Sequence, residues 1–245
     1  MKALIFRGGW PGHEPVQTSD VAARELRNEG FEVEVHDTLD VLMDREHLLA
    51  QDLIVPMWTM AESNAKEPLP KDLHKYLIEA VKAGVGIGGW HGGMCDAFRT
   101  YVEYQFMTGG QWVSHPGGGQ ARYRVRIGPT QHEITRGLQD FFVTSEQYFM
   151  HVDPGVRVLA TTHFPIGAAS GDGLDQDTQD AVDAIAGEGH ADAAVMPVTW
   201  TKRYGKGRVF YTSLGHVAPV FEIPEALTML RRGLVWAAQG KGLAG

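Results

Sequence analysis

Three histidines of this 245-residue chain stand at glycine-rich turns, and each turn follows a short apolar run. His13 lies in the run GGWPGHE, His91 in GGWHGG and His216 in LGH. Glycine permits sharp turns and a close approach of the backbone to a ligand. An imidazole transfers protons near neutral pH or binds a metal through one ring nitrogen. The pattern therefore predicts a polar pocket with acid/base or metal chemistry.

The middle turn is the most specific of the three. Its pattern Gly-x-His-x-Gly at 89–93 has the shape of a nucleophile elbow, a tight strand-to-helix turn that directs one side chain into a site. An elbow normally presents serine or cysteine, and histidine is a poor choice for acyl transfer. We therefore predict that His91 is a general acid or base. Cys95 is expected to be a small buried residue rather than a nucleophile.

A second group of candidates lies in the segment 145–151 (SEQYFMH). At strand period Glu146 and Tyr148 share one face, so both side chains could reach a common site. Glu146 is a second acid/base candidate, and Tyr148 could hydrogen-bond a sugar or a developing enolate. A solvated edge strand is the alternative interpretation of the same segment.

Residues near the glycine turns are predicted to bind the substrate: Trp10, His13, Glu14, Trp90, His115 and His216. The histidines His13, His115 and His216 are alternatively ligands of a divalent metal, Zn²⁺ or similar, that polarises a carbonyl. Glu14 also suits the cap of a helix that Pro15 opens, where acidic groups are favoured. Spacing alone establishes no cofactor, because the histidines are far apart in the chain.

The elements that must position these residues alternate in the first half of the chain. Apolar patterns predict strands at 4–6, 31–35, 52–56 and 85–87, with helices opened by Pro15 and Pro70 and ended by Gly30 and Gly84. Such alternation requires parallel pairing with right-handed crossovers. The predicted fold class is α/β, with a doubly wound, mostly parallel sheet. Ligands bind beyond the carboxyl ends of such strands, where the histidine turns fall.

The second half is less regular. It predicts strands at 122–127, 156–161, 194–199 and 207–212, a glycine-bounded loop at 109–116 and a closing helix at 224–238. Residues 167–192 carry seven acidic residues and no Lys or Arg. We interpret this segment as an acidic surface excursion, with an interface or metal-binding loop as the alternative. The pattern of the whole chain predicts one domain, 1–240, with a tail at 241–245.

Composition restricts the partners. The formal net charge of −8 and the lack of a Lys/Arg-rich run argue against nucleic acid. A single cysteine fits a reducing compartment, and no apolar run approaches the roughly 18 residues of a membrane span. We expect a cytoplasmic protein without a membrane partner. The sequence leaves open whether the chain forms a homo-oligomer. Neither a dinucleotide-binding fingerprint nor a Walker loop is present, which disfavours a nucleotide cofactor.

Taken in order, these motifs resemble the ThuA-like family, the trehalose-utilisation group, over about residues 2–239. The carrying motifs are GHE at 12–14, GWHG at 89–92, GG at 109–110 with HP at 115–116, Glu146 with Tyr148, PVTW at 197–200, and GKGRVFY at 205–211 leading to GH at 215–216. The resemblance implies the class I glutamine amidotransferase-like fold, of flavodoxin-like topology. Those amidotransferases place cysteine at the elbow. Because His91 stands there, glutamine hydrolysis is not expected.

The resemblance also implies a role in sugar catabolism beside sugar dehydrogenases, with an oxidised sugar as substrate. Our leading hypothesis is an enzyme that acts on a keto-sugar or keto-glycoside. It would abstract a proton next to the carbonyl, with or without a metal, and then eliminate, hydrolyse or isomerise. The alternatives are a non-catalytic sugar-binding or regulatory module, and a metal-dependent hydrolase of a non-sugar substrate.

Overall fold

The computed structural model describes residues 1–64, 69–70, 73–165, 177, 179–180 and 193–241. The strands of this part are β1 (Lys2–Gly9), β2 (Glu32–His36), β3 (Leu53–Thr59), β4 (Gly86–Trp90), β5 (Gly110–Ser114), β6 (Arg122–Ile127), β7 (Phe141–Thr144), β8 (Phe149–Val152), β9 (Arg157–Pro165), β10 (Ala193–Tyr204) and β11 (Gly207–Thr212). The helices are α1 (Pro15–Asn28), α2 (Arg45–Ala50), α3 (Ala61–Asn64), α4 (Lys75–Ala83), α5 (His91–Cys95), α6 (Val102–Thr108) and α7 (Pro224–Ala238).

Within the described residues, one mixed sheet runs in the order β2-β1-β3-β4-β11-β10-β9-β6-β7. The half from β2 to β11 is parallel, as the alternation of strands and helices predicted. Helices cover both faces, so the doubly wound α/β class is confirmed. The carboxyl ends of β1, β3, β4 and β11 therefore lie side by side at one edge.

Burial follows from the side-chain alternation of the central strands. Leu4 and Phe6 of β1 pack in a core with α2 and α4, whereas Ala3 and Ile5 pack in the opposite core with α1 and α7. Every one of these four side chains is fully buried. This arrangement explains why the strands read as continuous apolar runs, since a parallel strand is covered on both faces.

The half from β10 to β7 is antiparallel. Of its strands, β6, β9 and β10 fall where the apolar patterns predicted them, with β9 and β10 extending beyond the predicted segments, whereas β7 was not predicted. The loop predicted at 109–116 is wrong in its centre, because Gly110–Ser114 forms β5 and pairs with β8. The segment 145–148 belongs to no strand but connects β7 to β8.

Helix α4 begins at Lys75 rather than at Pro70. It ends at Ala83, and the next residue, Gly84, caps it with a φ of 126°. The acidic segment 167–192 falls outside the described residues except at 177 and 179–180, and the tail 241–245 except at Lys241. None of the helices in the described part of the chain combines the length and the apolar character needed to cross a bilayer.

Candidate functional site

His91 lies at the turn from β4 into α5 and has a φ of 47°. A left-handed backbone costs a residue with a Cβ about 1–2 kcal/mol, so surrounding contacts must hold this turn. The hydroxyl of Tyr211 donates to the carbonyl oxygen of His91 at 3.1 Å, and the hydroxyl of Tyr104 donates to that of Met94 at 3.1 Å. The predicted elbow is therefore present, with a fully buried histidine at its apex.

Strained turns also follow β1 and β3 of the same parallel half of the sheet. Glu14, beyond β1, has a φ of 45°, and Met60, directly after β3, has a φ of 54°. Within the described residues, these and His91 are the non-glycine residues with positive φ. Strained backbone persists where the surroundings over-determine it, and it clusters at functional sites. The edge formed by the carboxyl ends of β1, β3 and β4 therefore has the strained backbone that is typical of a functional site.

The imidazoles of the three glycine turns meet at this edge. Ring centroids lie 4.6 Å apart for His13 and His91, 5.2 Å apart for His13 and His216, and 5.2 Å apart for His91 and His216. Nδ1 of His13 lies 2.8 Å from Oγ1 of Thr59, at the end of β3. The structure thus brings together side chains from four strand ends.

Glu146 reaches the same point from the antiparallel half of the sheet. Its Oε2 lies 3.1 Å from Nε2 of His91, 3.2 Å from Nδ1 of His216 and 3.7 Å from Nε2 of His13. Its carboxylate is buried, with only 6% of the residue exposed. The alternative of a solvated edge strand is therefore wrong for this residue.

The backbone around Glu146 is anchored on both sides. The hydroxyl of Tyr123 donates to the carbonyl oxygen of Glu146 at 3.1 Å. The side-chain nitrogen Nε2 of Gln147 donates to Oγ1 of Thr162 at 2.8 Å and to the carbonyl oxygen of His163 at 3.0 Å. These bonds orient Glu146 without a strand ladder.

Hydrogen bonding determines the tautomer of His91. Its Nδ1 lies 2.8 Å from the carbonyl oxygen of Ser213, which can only accept, so Nδ1 carries the proton. Complete burial lowers the pKa of His91 to about 3, so the ring is neutral at pH 7. Its Nε2 therefore presents a lone pair towards Glu146.

The other groups of the cluster respond to the same burial. Burial lowers the pKa of His13. Burial would raise the pKa of Glu146, but the contacts of its carboxylate with the rings of His13, His216 and His91 outweigh it and hold that pKa below its usual range. The cluster thus combines an ionised carboxylate with two imidazoles, those of His13 and His91, whose pKa burial lowers.

A pocket of about 210 Å³ opens next to the cluster. It is lined by Trp10, His13, Met60, Asp96, Arg99, Trp112, His115, Glu146 and Tyr148. The ring of Tyr148 stacks on that of His91 with centroids 3.8 Å apart. Burial raises the pKa of Tyr148 well above 10, so its phenol stays protonated and donates.

Four of the lining residues, Met60, Asp96, Arg99 and Trp112, are not among the predicted site residues. Arg99 donates to both carboxylate oxygens of Asp96, at 2.5 and 2.8 Å, and its guanidinium lies 4.7 Å from the ring centroid of Trp112. The spacing Asp-x-x-Arg directly after the elbow helix is a local signal that could have indicated the pair.

With this geometry established, the comparisons with known proteins identify the family. A family model for ThuA, described as trehalose utilisation, matches residues 2–237. The chain belongs to the ThuA family. No curated protein matches it in sequence.

Solved structures of two ThuA-like proteins and of one further protein show a similar fold. A ThuA-like protein from Parabacteroides merdae is 20% identical with a TM-score of 0.68, and the match covers 98% of this chain and 91% of that one. One from Bacteroides uniformis is 18% identical with a TM-score of 0.70, covering 97% and 91%. A cytoplasmic protein of Salmonella typhimurium is 14% identical with a TM-score of 0.56, covering 98% of each chain.

Several predicted site residues of this ThuA-family chain lie elsewhere than expected. Trp90 is fully buried and packs edge-on against Phe221, with ring centroids 6.0 Å apart. The prediction that it binds substrate is wrong, because its ring lies in the core beneath the sheet edge. Cys95 is buried, as predicted.

The donor atoms that lie close together differ in part from the predicted metal ligands. His115 lines the pocket, but its Nε2 lies 3.9 Å from Oε1 of Glu146, whereas the other three histidines contact Oε2. The close group of donor atoms is instead His13, His91, Glu146 and His216. His91 was predicted to touch the substrate, yet it lies fully buried beneath Tyr148 and is not a lining residue.

Glu14 neither caps α1 through its side chain nor lines the pocket of this ThuA-family chain. Its Oε2 accepts the backbone N–H of Ala218 at 2.9 Å, which ties the β1 turn to the loop after His216. We therefore assign Glu14 a role in positioning that loop.

We expect Glu14→Ala to lower the free energy of unfolding by about 1–3 kcal/mol, because the Ala218 N–H loses its acceptor. Urea denaturation followed by circular dichroism measures this loss. Glu14→Gln keeps an acceptor oxygen and should retain most of the stability. An Ala variant as stable as the wild type would show that the contact contributes nothing.

Proposed function

We propose that this ThuA-family chain is an enzyme of carbohydrate breakdown that acts on a keto-sugar or keto-glycoside by proton transfer next to the carbonyl. One observation carries the proposal: the pocket joins exposed tryptophan surface directly to buried acid/base groups. Trp10 and Trp112 supply the first, and Glu146 and Tyr148 the second. His115, whose side chain is 39% exposed, lines the same pocket. The family's description as trehalose utilisation supports a carbohydrate substrate.

Binding would use the aromatic lining of the pocket. Trp10 is 39% exposed, and Trp112 also lines the pocket, with Arg99 over its ring. Aromatic faces pack against the C–H faces of a sugar ring, while nearby polar groups take its hydroxyls. Asp96 and Arg99 are the polar groups that accompany the two indoles. A cavity of about 210 Å³ suits one sugar ring better than a whole oligosaccharide.

Proton transfer would involve the two groups that both line the pocket and face each other. Nε2 of His115 lies 3.9 Å from Oε1 of Glu146. Catalytic hydrogen bonds are often long without substrate and shorten in the complex. We assign His115 as the group that takes the proton from the carbon next to the carbonyl, with Glu146 orienting and stabilising the imidazolium.

Tyr148 would stabilise the charge that develops in this step. Its phenol stays protonated because burial raises its pKa well above 10, so it can donate to the carbonyl oxygen as an enolate forms. The C–H electron pair becomes the new double bond. In an elimination the neighbouring C–O bond breaks and the departing oxygen takes up a proton, and in an isomerisation the proton returns to the adjacent carbon.

A screen of oxidised sugars by mass spectrometry tests the proposal. Keto-glucosides and keto-disaccharides are incubated with the protein, and the corresponding unoxidised sugars serve as matched substrates. We expect product from at least one keto compound and none from its unoxidised partner. Ligand-induced thermal stabilisation without product would instead support a binding module. Turnover of unoxidised sugars alone would overturn the assigned chemistry.

A further inference from the structure

Four donor atoms of the site converge in a way that the proposed proton transfer does not require. They belong to His13, His91, Glu146 and His216, and all lie within 4.8 Å of one another. We propose that these four residues bind one divalent transition-metal ion, Zn²⁺ or a similar ion. Histidine nitrogens and a carboxylate oxygen form a donor set typical of zinc in proteins.

Four separations, from Glu146 to each histidine and from His216 to His91, are close to the edges of a small tetrahedron. A tetrahedral Zn²⁺ site with bonds of about 2.0–2.1 Å places its ligand atoms roughly 3.3 Å apart. Oε2 of Glu146 lies 3.1, 3.2 and 3.7 Å from the nitrogens of His91, His216 and His13. The nitrogens of His216 and His91 lie 3.3 Å apart.

The positions of the protons favour a cation at the centre. Nδ1 of His91 donates to the carbonyl oxygen of Ser213, so its Nε2 lone pair faces the carboxylate of Glu146 at 3.1 Å. Two acceptors at this distance repel each other unless a cation lies between them. Without a cation, Nδ1 of His216 could donate one hydrogen bond to this pair of acceptors. It lies 3.2 Å from Oε2 of Glu146 and 3.3 Å from Nε2 of His91, so both acceptors would share a single proton.

The outer contacts of the histidines are those that metal ligands make. Ligating histidines almost always donate their second ring nitrogen to a carbonyl or other acceptor, which directs the first towards the metal. His91 donates Nδ1 to Ser213, and Nδ1 of His13 lies 2.8 Å from Oγ1 of Thr59, which leaves Nε2 of both rings facing the cluster. Burial of these groups removes competing water.

The ion would lie against the substrate, because His13 and Glu146 also line the pocket. As a Lewis acid it would polarise the carbonyl of a bound keto-sugar, and in this respect the inference rests on the proposed function. As a binding site it stands on the geometry alone. This ligand set replaces His115 of the sequence prediction by His91 and adds Glu146.

The test measures metal binding directly. The full chain is stripped with chelator, loaded separately with Zn²⁺ and Co²⁺, dialysed and analysed for metal per chain. We expect about one ion per chain, and Co²⁺ absorption typical of tetrahedral coordination. Glu146→Gln and His216→Ala should lose the ion and this absorption. Thr59→Val, which keeps all four ligands, should weaken Zn²⁺ affinity by about 10- to 100-fold, whereas Thr59→Ser should restore it.

A second histidine group provides the matched control. Glu34, His36 and His47 lie together on β2 and α2, and none of them lines the pocket of the site. His47→Ala should keep the ion and the Co²⁺ absorption. Loss of the ion in His47→Ala, or its retention in folded His216→Ala, would overturn the proposal, as would a wild type that binds neither ion. Metal binding without turnover of any keto-sugar would refute the proposed function and leave the metal site standing.

Discussion

We expect Glu146→Gln to lower kcat/KM for a keto-sugar by about 10²- to 10⁴-fold, which is the range for loss of a positioned acid/base group. The amide has nearly the same shape but no charge, so it cannot stabilise an imidazolium on His115 at 3.9 Å. It also presents a donor or a weaker acceptor to His91, His216 and His13, which Oε2 contacts at 3.1, 3.2 and 3.7 Å. Steady-state kinetics on the substrate found in the screen measures the effect.

Glu103→Gln is the matched control for this prediction. Glu103 is 49% exposed at its side chain and pairs with Lys82 and Tyr204 on α4 and β10. We expect this variant to keep wild-type kcat/KM, since it changes the same charge outside the site. If folded Glu146→Gln retains full activity, Glu146 takes no part in the chemistry and the acid/base assignment fails.

Gly92→Ala should have the second largest effect, an activity loss of about 100-fold. Gly92 follows His91 in α5, and a Cβ there would lie 2.5 Å from Cε1 of His13, 2.8 Å from its Nδ1 and 3.0 Å from the hydroxyl of Tyr148. The His13 ring must move, and its bond to Thr59 would break. Such crowding costs about 1–3 kcal/mol of stability, so the variant should fold with a lower Tm.

Gly119→Ala controls for a methyl group added near the site. Its Cβ would meet Nε2 of His216 at 3.7 Å, which is ordinary contact. We expect activity within about twofold of the wild type, because no neighbouring group has to shift. Kinetics and calorimetry of both variants separate the effects. Equal activity of the two would mean that the position of His13 does not matter for turnover.

Local chemistry explains why the first half of the fold was predictable. Buried parallel strands read as apolar runs, and Gly84 marked the end of α4 because its φ of 126° suits glycine. The GWHGG run likewise indicated the elbow at His91. Once parallel pairing is inferred, the carboxyl ends of the strands share one edge, so His13, His91 and His216 were expected together.

The antiparallel half was less predictable because its pairing depends on contacts between distant segments. The run 109–116 looked like a loop from its glycines, yet its centre pairs with β8. Glu146 and Tyr148 were placed on one face by period-two alternation, and both do line the pocket. Their burial comes from hydrogen bonds of Tyr123 and Gln147 with other segments, which no local pattern encodes.

By itself the sequence determined the α/β class, the elbow and the histidine turns, because apolar periodicity and glycine act on the backbone locally. Only the tertiary structure decided what each side chain touches. It placed Trp90 in the core, paired Glu14 with the Ala218 N–H, and made His91 rather than His115 the third imidazole of the close donor group. Burial and separation within a cluster are set by residues far apart in the chain, so they emerge only when the sheet is assembled.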